Sequence, residues 1–367
     1  MIPRFPSPVK YLRHKILTLL FASAALLAGT GCSAIGYYSQ AVGGHFKLMR
    51  ARQPLEEVLA DEATSPELRG KLQTLVDARK FAVTELDLPD NDSYSSFVET
   101  GRAAVTWNVV AASEFSVSPK TWCFPVAGCV SYRGYFDRAE ADEYAAGLAS
   151  ENYDVTVGGA SAYSTLGWFD DPIVDTMLRG NDTRYVGTLF HELAHQKLYV
   201  KDDSNFNEAY ATFVEQIGTR KWLEHRGEAD RIAQYDASLK RLEDFVSLLQ
   251  RTREKLQTTF ARNIDESAMR DEKAAVFEQM RADYESIKVD WGGFSGYDNW
   301  FKRDLNNARL VAVSTYRRYV PAFYAMYLEA GEDIQKFYEV ARVTADLPAG
   351  ERRERLDAYL AALEATS

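Results

Sequence analysis

The chain has 367 residues, 46% hydrophobic and 26% charged, which is the balance of an ordinary folded body with one large core or two lobes and excludes collagen-like and disordered classes. A net charge of −10 argues against a nucleic-acid partner, because phosphate backbones are held by clustered lysine and arginine. The first 31 residues carry Arg4, Lys10, Arg13 and Lys15 and no acid, so the remainder is more acidic still.

That amino terminus reads as an export signal, a basic region followed by an apolar run from Ile16 to Ala28 that is too short to span a bilayer comfortably. It ends in Gly29-Thr30-Gly31-Cys32-Ser33, which resembles the cleavage box of bacterial lipoproteins, with Gly29 where such signals usually carry leucine. The reading predicts a signal peptide over 1–31 and a mature chain over 32–367, lipidated at Cys32 and held to a membrane of the cell envelope, facing the periplasm. Ser33 favours the outer membrane if the host is Gram-negative. The alternatives are an ordinary secretory signal with a chance cysteine and an uncleaved anchor. Export would let the two remaining cysteines, Cys123 and Cys129, close a short disulfide loop, the alternative being two buried thiols.

Along the mature chain no repeat or low-complexity linker intervenes. Residues 32–92 read as two helices, with Leu55, Val58, Leu59, Leu68, Leu72 and Leu75 at helical spacing and Pro54 and Pro66 marking turns. Residues 93–180 read as a mixed strand region: Val105 to Val110 and Tyr153 to Val157 favour strands, and Arg138 to Ser150 favours a short helix between them. A helical turn is predicted at Ile173 to Met177. Residues 181–228 read as a pair of helices, 229–290 as a long antiparallel helical hairpin folding back near Asn263 to Ser267, and 291–367 as closing helices.

The chemistry is concentrated in Phe190-His191-Glu192-Leu193-Ala194-His195-Gln196, a match to His-Glu-x-x-His. Residues four apart lie one turn apart on a helix, so both imidazoles can reach one zinc while the glutamate between them faces water held by the metal. Val186, Leu189, Phe190 and Leu193 give this segment a buried stripe, and Thr188 to Val200 contains neither glycine nor proline. A hydrolytic zinc takes three protein ligands and a water. After a turn at Lys201 to Asn205, a second helix over Phe206 to Glu215 would return antiparallel and present Glu208 as the third ligand. Glu215, two turns further on, is a rival ligand or an outer acceptor for a histidine N–H, and Asn207 is a second candidate for such a supporting role. Asp202 and Asp203 are capping, surface or orienting residues.

These residues, with Phe206-Asn207-Glu208-Ala209 following and Gly167-Trp168-Phe169-Asp170-Asp171-Pro172 preceding, resemble the bacterial "putative aminopeptidase" family. The resemblance extends to Gly36 to Gly44, the two-cysteine tract with Tyr132 to Phe136, and Leu305 to Leu310. It implies a zinc peptidase carrying a lipoprotein signal.

The expected fold is α+β and predominantly helical, a zincin-like body with a small twisted sheet beside the metal-binding helix, a long helical hairpin and one zinc per chain. Glu192 is the expected general base, and Tyr316 the expected donor to the developing oxyanion, with Tyr210 and Tyr199 behind it. Ser164 to Phe169 is expected as an edge strand along which a peptide substrate would lie, Gly167 permitting close approach beside Trp168 and Phe169. Asp170, Asp171 or Glu215 are candidates for holding a free substrate ammonium. The rival classes are an envelope lipoprotein that binds peptides or proteins without cutting them, against which the general base argues, and a zinc amidase acting on cell-wall peptides.

Overall fold

The structure, a computed structural model, describes residues 35–124 and 128–364, without the side chains of 314–316 and 364. The predicted signal peptide and Cys32 lie outside the described residues. The chain separates into two compact units at Arg50. Helix α1, residues 35–50, belongs to the first. The second contains β1 (Gln53–Pro54), α2 (Leu55–Ala60), α3 (Pro66–Thr84), β2 (Ser96–Val98), β3 (Thr106–Ser113), β4 (Trp122–Phe124), β5 (Gly128–Val130), β6 (Arg133–Tyr135), α4 (Arg138–Ser150), β7 (Tyr153–Ala160) and β8 (Ile173–Val174). Helices follow: α5 (Asp182–Lys197), α6 (Ser204–His225), α7 (Ala229–Phe260), α8 (Glu266–Asp290), α9 (Asp298–Phe301), α10 (Asn307–Arg317), α11 (Val320–Glu329), α12 (Ile334–Ala345) and α13 (Ala349–Glu364). The fold is α+β and predominantly helical.

The amino-terminal stretch, expected as two helices, holds three, α1 to α3, and two further local expectations change. Pro66 opens α3 instead of marking a turn: it occupies the first helical position, where its missing N–H costs nothing, behind a Ser65 cap that accepts from Leu68 N at 3.2 Å. Ile173 and Val174, expected as helix, form β8, which runs parallel to β2 with Phe97 opposite Ile173. Both residues are fully buried and β-branched, so a pleated pairing packs them better than a helical turn would.

The largest sheet has the order β6-β3-β7, with β3 antiparallel to β7 from Thr106 opposite Ala160 to Ser113 opposite Tyr153. Successive side chains of β3 alternate faces, and Val109 to Ala112 are all buried, so both faces are covered. Val110 and Ala112 join a core with Phe245, Leu249, Met280, Tyr284, Leu310 and Val311 from the α7–α8 hairpin and α10, and α4 also packs on the sheet. Helix α10 packs on both this sheet and α6, and links the two. The α7–α8 hairpin is present, with its bend between Phe260 and Glu266.

Helices α5 and α6 pack against each other more extensively than any other helix pair. Asn181 caps α5 by accepting from Arg184 N, and Asp203 caps α6 by accepting from Phe206 N at 3.1 Å. The predicted stripe of α5, Val186, Leu189, Phe190 and Leu193, is fully buried. Two glycines set the spacing: a Cβ on Gly187 would stand 3.2 Å from Glu215 Cγ, and one on Gly218 would stand 2.9 Å from Phe190 Cδ2. The far side of α6 is fixed by Phe206, Tyr210 and Phe213, which pack on Phe323 and Phe337 of α11 and α12.

Candidate metal centre

The close approach of α5 and α6 brings His191, His195 and Glu208 together, one ligand atom from each lying within 4.8 Å of the others. The two Nε2 atoms are 3.1 Å apart, and Glu208 oxygens lie 3.5 Å from His191 Nε2 and 3.8 Å from His195 Nε2. Ligand atoms bound at about 2.0–2.1 Å to a tetrahedral ion stand roughly 3.3 Å from one another, so the three donors fit such an ion. Two imidazole lone pairs and a carboxylate facing one point are mutually repulsive until a cation or proton lies between them.

Glu215 is not one of the three. Its Oε2 sits 3.1 Å from His191 Nδ1, the ring nitrogen turned away from the cluster, where a carboxylate fixes the tautomer and orientation of a metal-binding imidazole. Burial disfavours charge on His191, but the hydrogen bonds to Glu208 and Glu215 outweigh it and hold this imidazole well above the usual range. Both carboxylates are held below theirs, hydrogen bonding to His191 overcoming the upward push of burial. His195, 6% exposed, is pushed down to about 4, by burial first and then by the charge of His191. Although surrounded by protein, the Glu208 and Glu215 side chains retain 30% and 31% of their surface, so the centre is a recess that water reaches.

Glu192 points along another face of α5, which it shares with Gln196 one turn on. Burial first, then the charges of Glu208 and Asp171, push Glu192 up to about 7, against the pull of His191 and a hydrogen bond from Ser164. The wall it faces was missed by sequence reasoning. Tyr94, fully buried, lies within electrostatic reach of both Glu192 and Asp171, and burial chiefly holds its phenol protonated. Its φ is +62°, costly for an aromatic residue and therefore maintained by its surroundings. Those surroundings are a clasp: Tyr94 N donates to Asp171 O at 2.6 Å, Asn91 Nδ2 to Gln196 Oε1 at 2.7 Å, and Gln196 Nε2 to Ser93 Oγ at 3.3 Å. Nothing local in Asn91 to Tyr94 signals this, since the partners come from about 80 to 105 residues further along the chain.

The remaining candidates separate clearly. Asn207 closes the α5–α6 connection, accepting from Val200 N and donating to Val200 O, both at 2.7 Å. Asp203 pairs with Arg352 of α13 at 2.7 Å in addition to capping α6, and Asp202 accepts from Cys129 N at 2.6 Å. Cys123 and Cys129 are opposite one another in the β4–β5 pair and joined as a disulfide. Tyr210, offered as an oxyanion donor, is a fully buried core residue stacked on Phe206 and Phe337, too enclosed to meet a substrate. Tyr199 stands edge-on to His195 with ring centroids 6.4 Å apart. Tyr316 falls in α10, and its side chain lies outside the described residues. Its neighbour Arg317, which sequence reasoning passed over, lends positive charge to both Glu208 and Glu215.

Gly167, Trp168 and Phe169 do not form the expected edge strand. Leu166 and Gly167 have φ of +57° and +80°, so the chain makes a tight turn here and cannot run extended. Asp171 enforces that turn from inside: its carboxylate, fully buried, accepts from Thr165 N at 2.8 Å and Thr165 Oγ1 at 2.9 Å. With Asp171 turned inward and Glu215 on His191, Asp170 is the one exposed acid of the three considered for a substrate ammonium.

No curated protein and no solved structure matches the chain. The family model described as "Putative aminopeptidase" matches residues 36–356, a span that includes the His191, His195 and Glu208 group and the turn before it. The chain belongs to that family.

Proposed function

We propose that this protein is a zinc-dependent peptidase that removes amino-terminal residues from peptides, exported and held to the cell envelope through a lipid on Cys32. The observation that carries the reading is the convergence of His191, His195 and Glu208 on one point with Glu192 beside them. Histidines and one carboxylate in this number suit zinc, and leave a fourth position for water or substrate. When bound, zinc would polarise the scissile carbonyl and acidify the attacking water.

The chain's own residues account for the remaining work. Glu192 accepts the water's proton and hands it to the leaving amine, a role suited to a carboxyl whose affinity for protons has been raised by burial. Ser164 stands beside its carboxyl, and Glu215 keeps His191 presenting Nε2. Arg317 supplies positive charge on the Glu208 and Glu215 side of the centre, favouring negative charge that develops there. Of the three acids considered for a substrate ammonium, Asp170 is the one left exposed to receive it.

The test is metal analysis of the purified chain together with hydrolysis of matched peptides whose amino termini are free or acetylated. One zinc per chain with cleavage of free peptides alone is the expected outcome. Equal cleavage of both would make the protein an endopeptidase, and no bound zinc after reconstitution would remove the peptidase reading. Anchoring is tested separately, since Cys32→Ser should abolish lipid labelling and release the protein from membranes.

A further inference from the structure

The turn that replaced the expected strand is built to a high standard for an exposed loop. Besides the two bonds to Asp171, Phe169 N donates to Thr165 Oγ1 at 3.1 Å, Trp168 N to Thr165 O at 3.2 Å, and Arg52 Nη1 to Asp170 O at 2.9 Å. Such a network fixes the backbone of the turn and removes the entropy that would otherwise be lost on ordering it around a ligand. What the fixed turn displays is apolar: Trp168 is 70% exposed and Phe169 52%. Two adjacent aromatics turned to solvent are the costly choice for a rigid loop that has no further use for them.

The position of the turn says what they are for. Ser164 at its start lies close enough to Glu192 to influence its charge, and the Cβ position of Gly167 lies 3.6 Å from Gln196 Cγ, one residue past His195. Trp168 is the next residue, one ~3.8 Å chain step beyond that contact. The turn thus meets α5 at Gln196, next in the chain to His195, and its exposed aromatics follow within two residues of that contact.

We propose that Trp168 and Phe169 form an apolar subsite that receives a bulky aliphatic or aromatic side chain of the peptide next to the scissile bond, so that the turn selects substrates through side chains instead of pairing with their backbone. The inference rests on the peptidase reading for its chemistry, but peptide recognition by this turn is separable from turnover. A membrane surface is the other class of contact that exposed aromatics suit, and the experiment distinguishes it.

Equilibrium affinities of short free-amino peptides beginning with Phe, Leu, Ala or Asp are measured on full-length zinc-loaded protein carrying Glu192→Gln, so that nothing is cleaved, with and without Trp168→Ala or Phe169→Ala. The expected result is tighter binding of Phe and Leu peptides than of Ala and Asp peptides, with about tenfold loss for the bulky pair in the Trp168→Ala protein and little change for Ala. Zinc content should be the same in all variants. Phe169→Leu should restore most of what Phe169→Ala loses, because an apolar surface is retained. Equal affinity for all four peptides, or loss of all four together, would overturn the proposal. So would intact peptide selectivity combined with loss of binding to phosphatidylglycerol vesicles in Trp168→Ala, which would assign the turn to the membrane. If selective binding holds while the protein with Glu192 intact cleaves nothing, the subsite stands and the peptidase reading fails.

Discussion

Glu192 lies between two walls that are made in different ways. On one side are His191, His195, Glu208 and Glu215, all from two consecutive helices joined by six residues and held together by Gly187 and Gly218. On the other are Tyr94, Ser164 and Asp171, from segments that reach the site only because β2 and β8 pair and because Gln196 grips Asn91 and Ser93. In the first wall, geometry is set by helical repeat, cap and close packing. In the second it is set by hydrogen bonds between residues distant in the chain, around backbone conformations that would not persist alone. A local wall should resist loss of single bonds and fail when a ligand goes, whereas a clasped wall should lose orientation with the metal still bound.

The largest effect belongs to the helical wall. Glu208→Ala should abolish zinc binding as measured by metal analysis, and peptide cleavage with it. Glu192→Gln should lower peptide turnover roughly 10²–10⁴-fold while the chain still carries one zinc, since it removes the base and none of the three donors. Retention of zinc by Glu208→Ala would break the assignment of the third donor. Glu215→Ala, which deletes the acceptor on His191 Nδ1, should weaken zinc affinity about 10–100-fold in a chelator competition without eliminating it.

The smallest effect is the sharpest for the clasped wall. Burial is the main reason Asp171 is raised from 3.8 to about 6, so the folded state takes up a proton more readily than the unfolded chain. The contribution of this group to stability is therefore full below about pH 4 and is lost as pH rises through about 6. In metal-free protein, Asp171→Asn should flatten the decline of unfolding free energy between pH 4 and 7, by on the order of 2 kcal/mol, while Asn still accepts from Thr165 N. An unchanged pH profile in denaturant unfolding would show that Asp171 is not the desolvated acid of this wall.

The same contrast explains what could be read in advance. The His191, Glu192, His195 spacing, the buried stripe of α5 and the return of α6 with Glu208 follow from a 3.6-residue repeat and a short connection, so they were legible in the sequence. The α7–α8 hairpin was legible for the same reason. Ser164 to Phe169 was misread as a strand because its apolar and glycine residues suit either an edge or a turn, and the deciding group, Asp171, exerts its effect only once it is buried. Ile173 and Val174 were misread as helix because two residues carry no period, and their partner Phe97 lies far upstream.

The sequence by itself therefore determined the helical pair and the three donors that converge on one point, because residues close in the chain on regular helices have few ways to be arranged. It also determined family membership, across residues 36–356. Only the tertiary structure decided that Glu215 supports His191 instead of joining the donors, that Tyr94 and Asp171 line the wall facing Glu192, and that Trp168 and Phe169 stand on a rigid turn. Those outcomes depend on which distant groups come to share a buried volume, where an unpaired donor or charge costs several times what it costs in water, and no local pattern encodes that pairing.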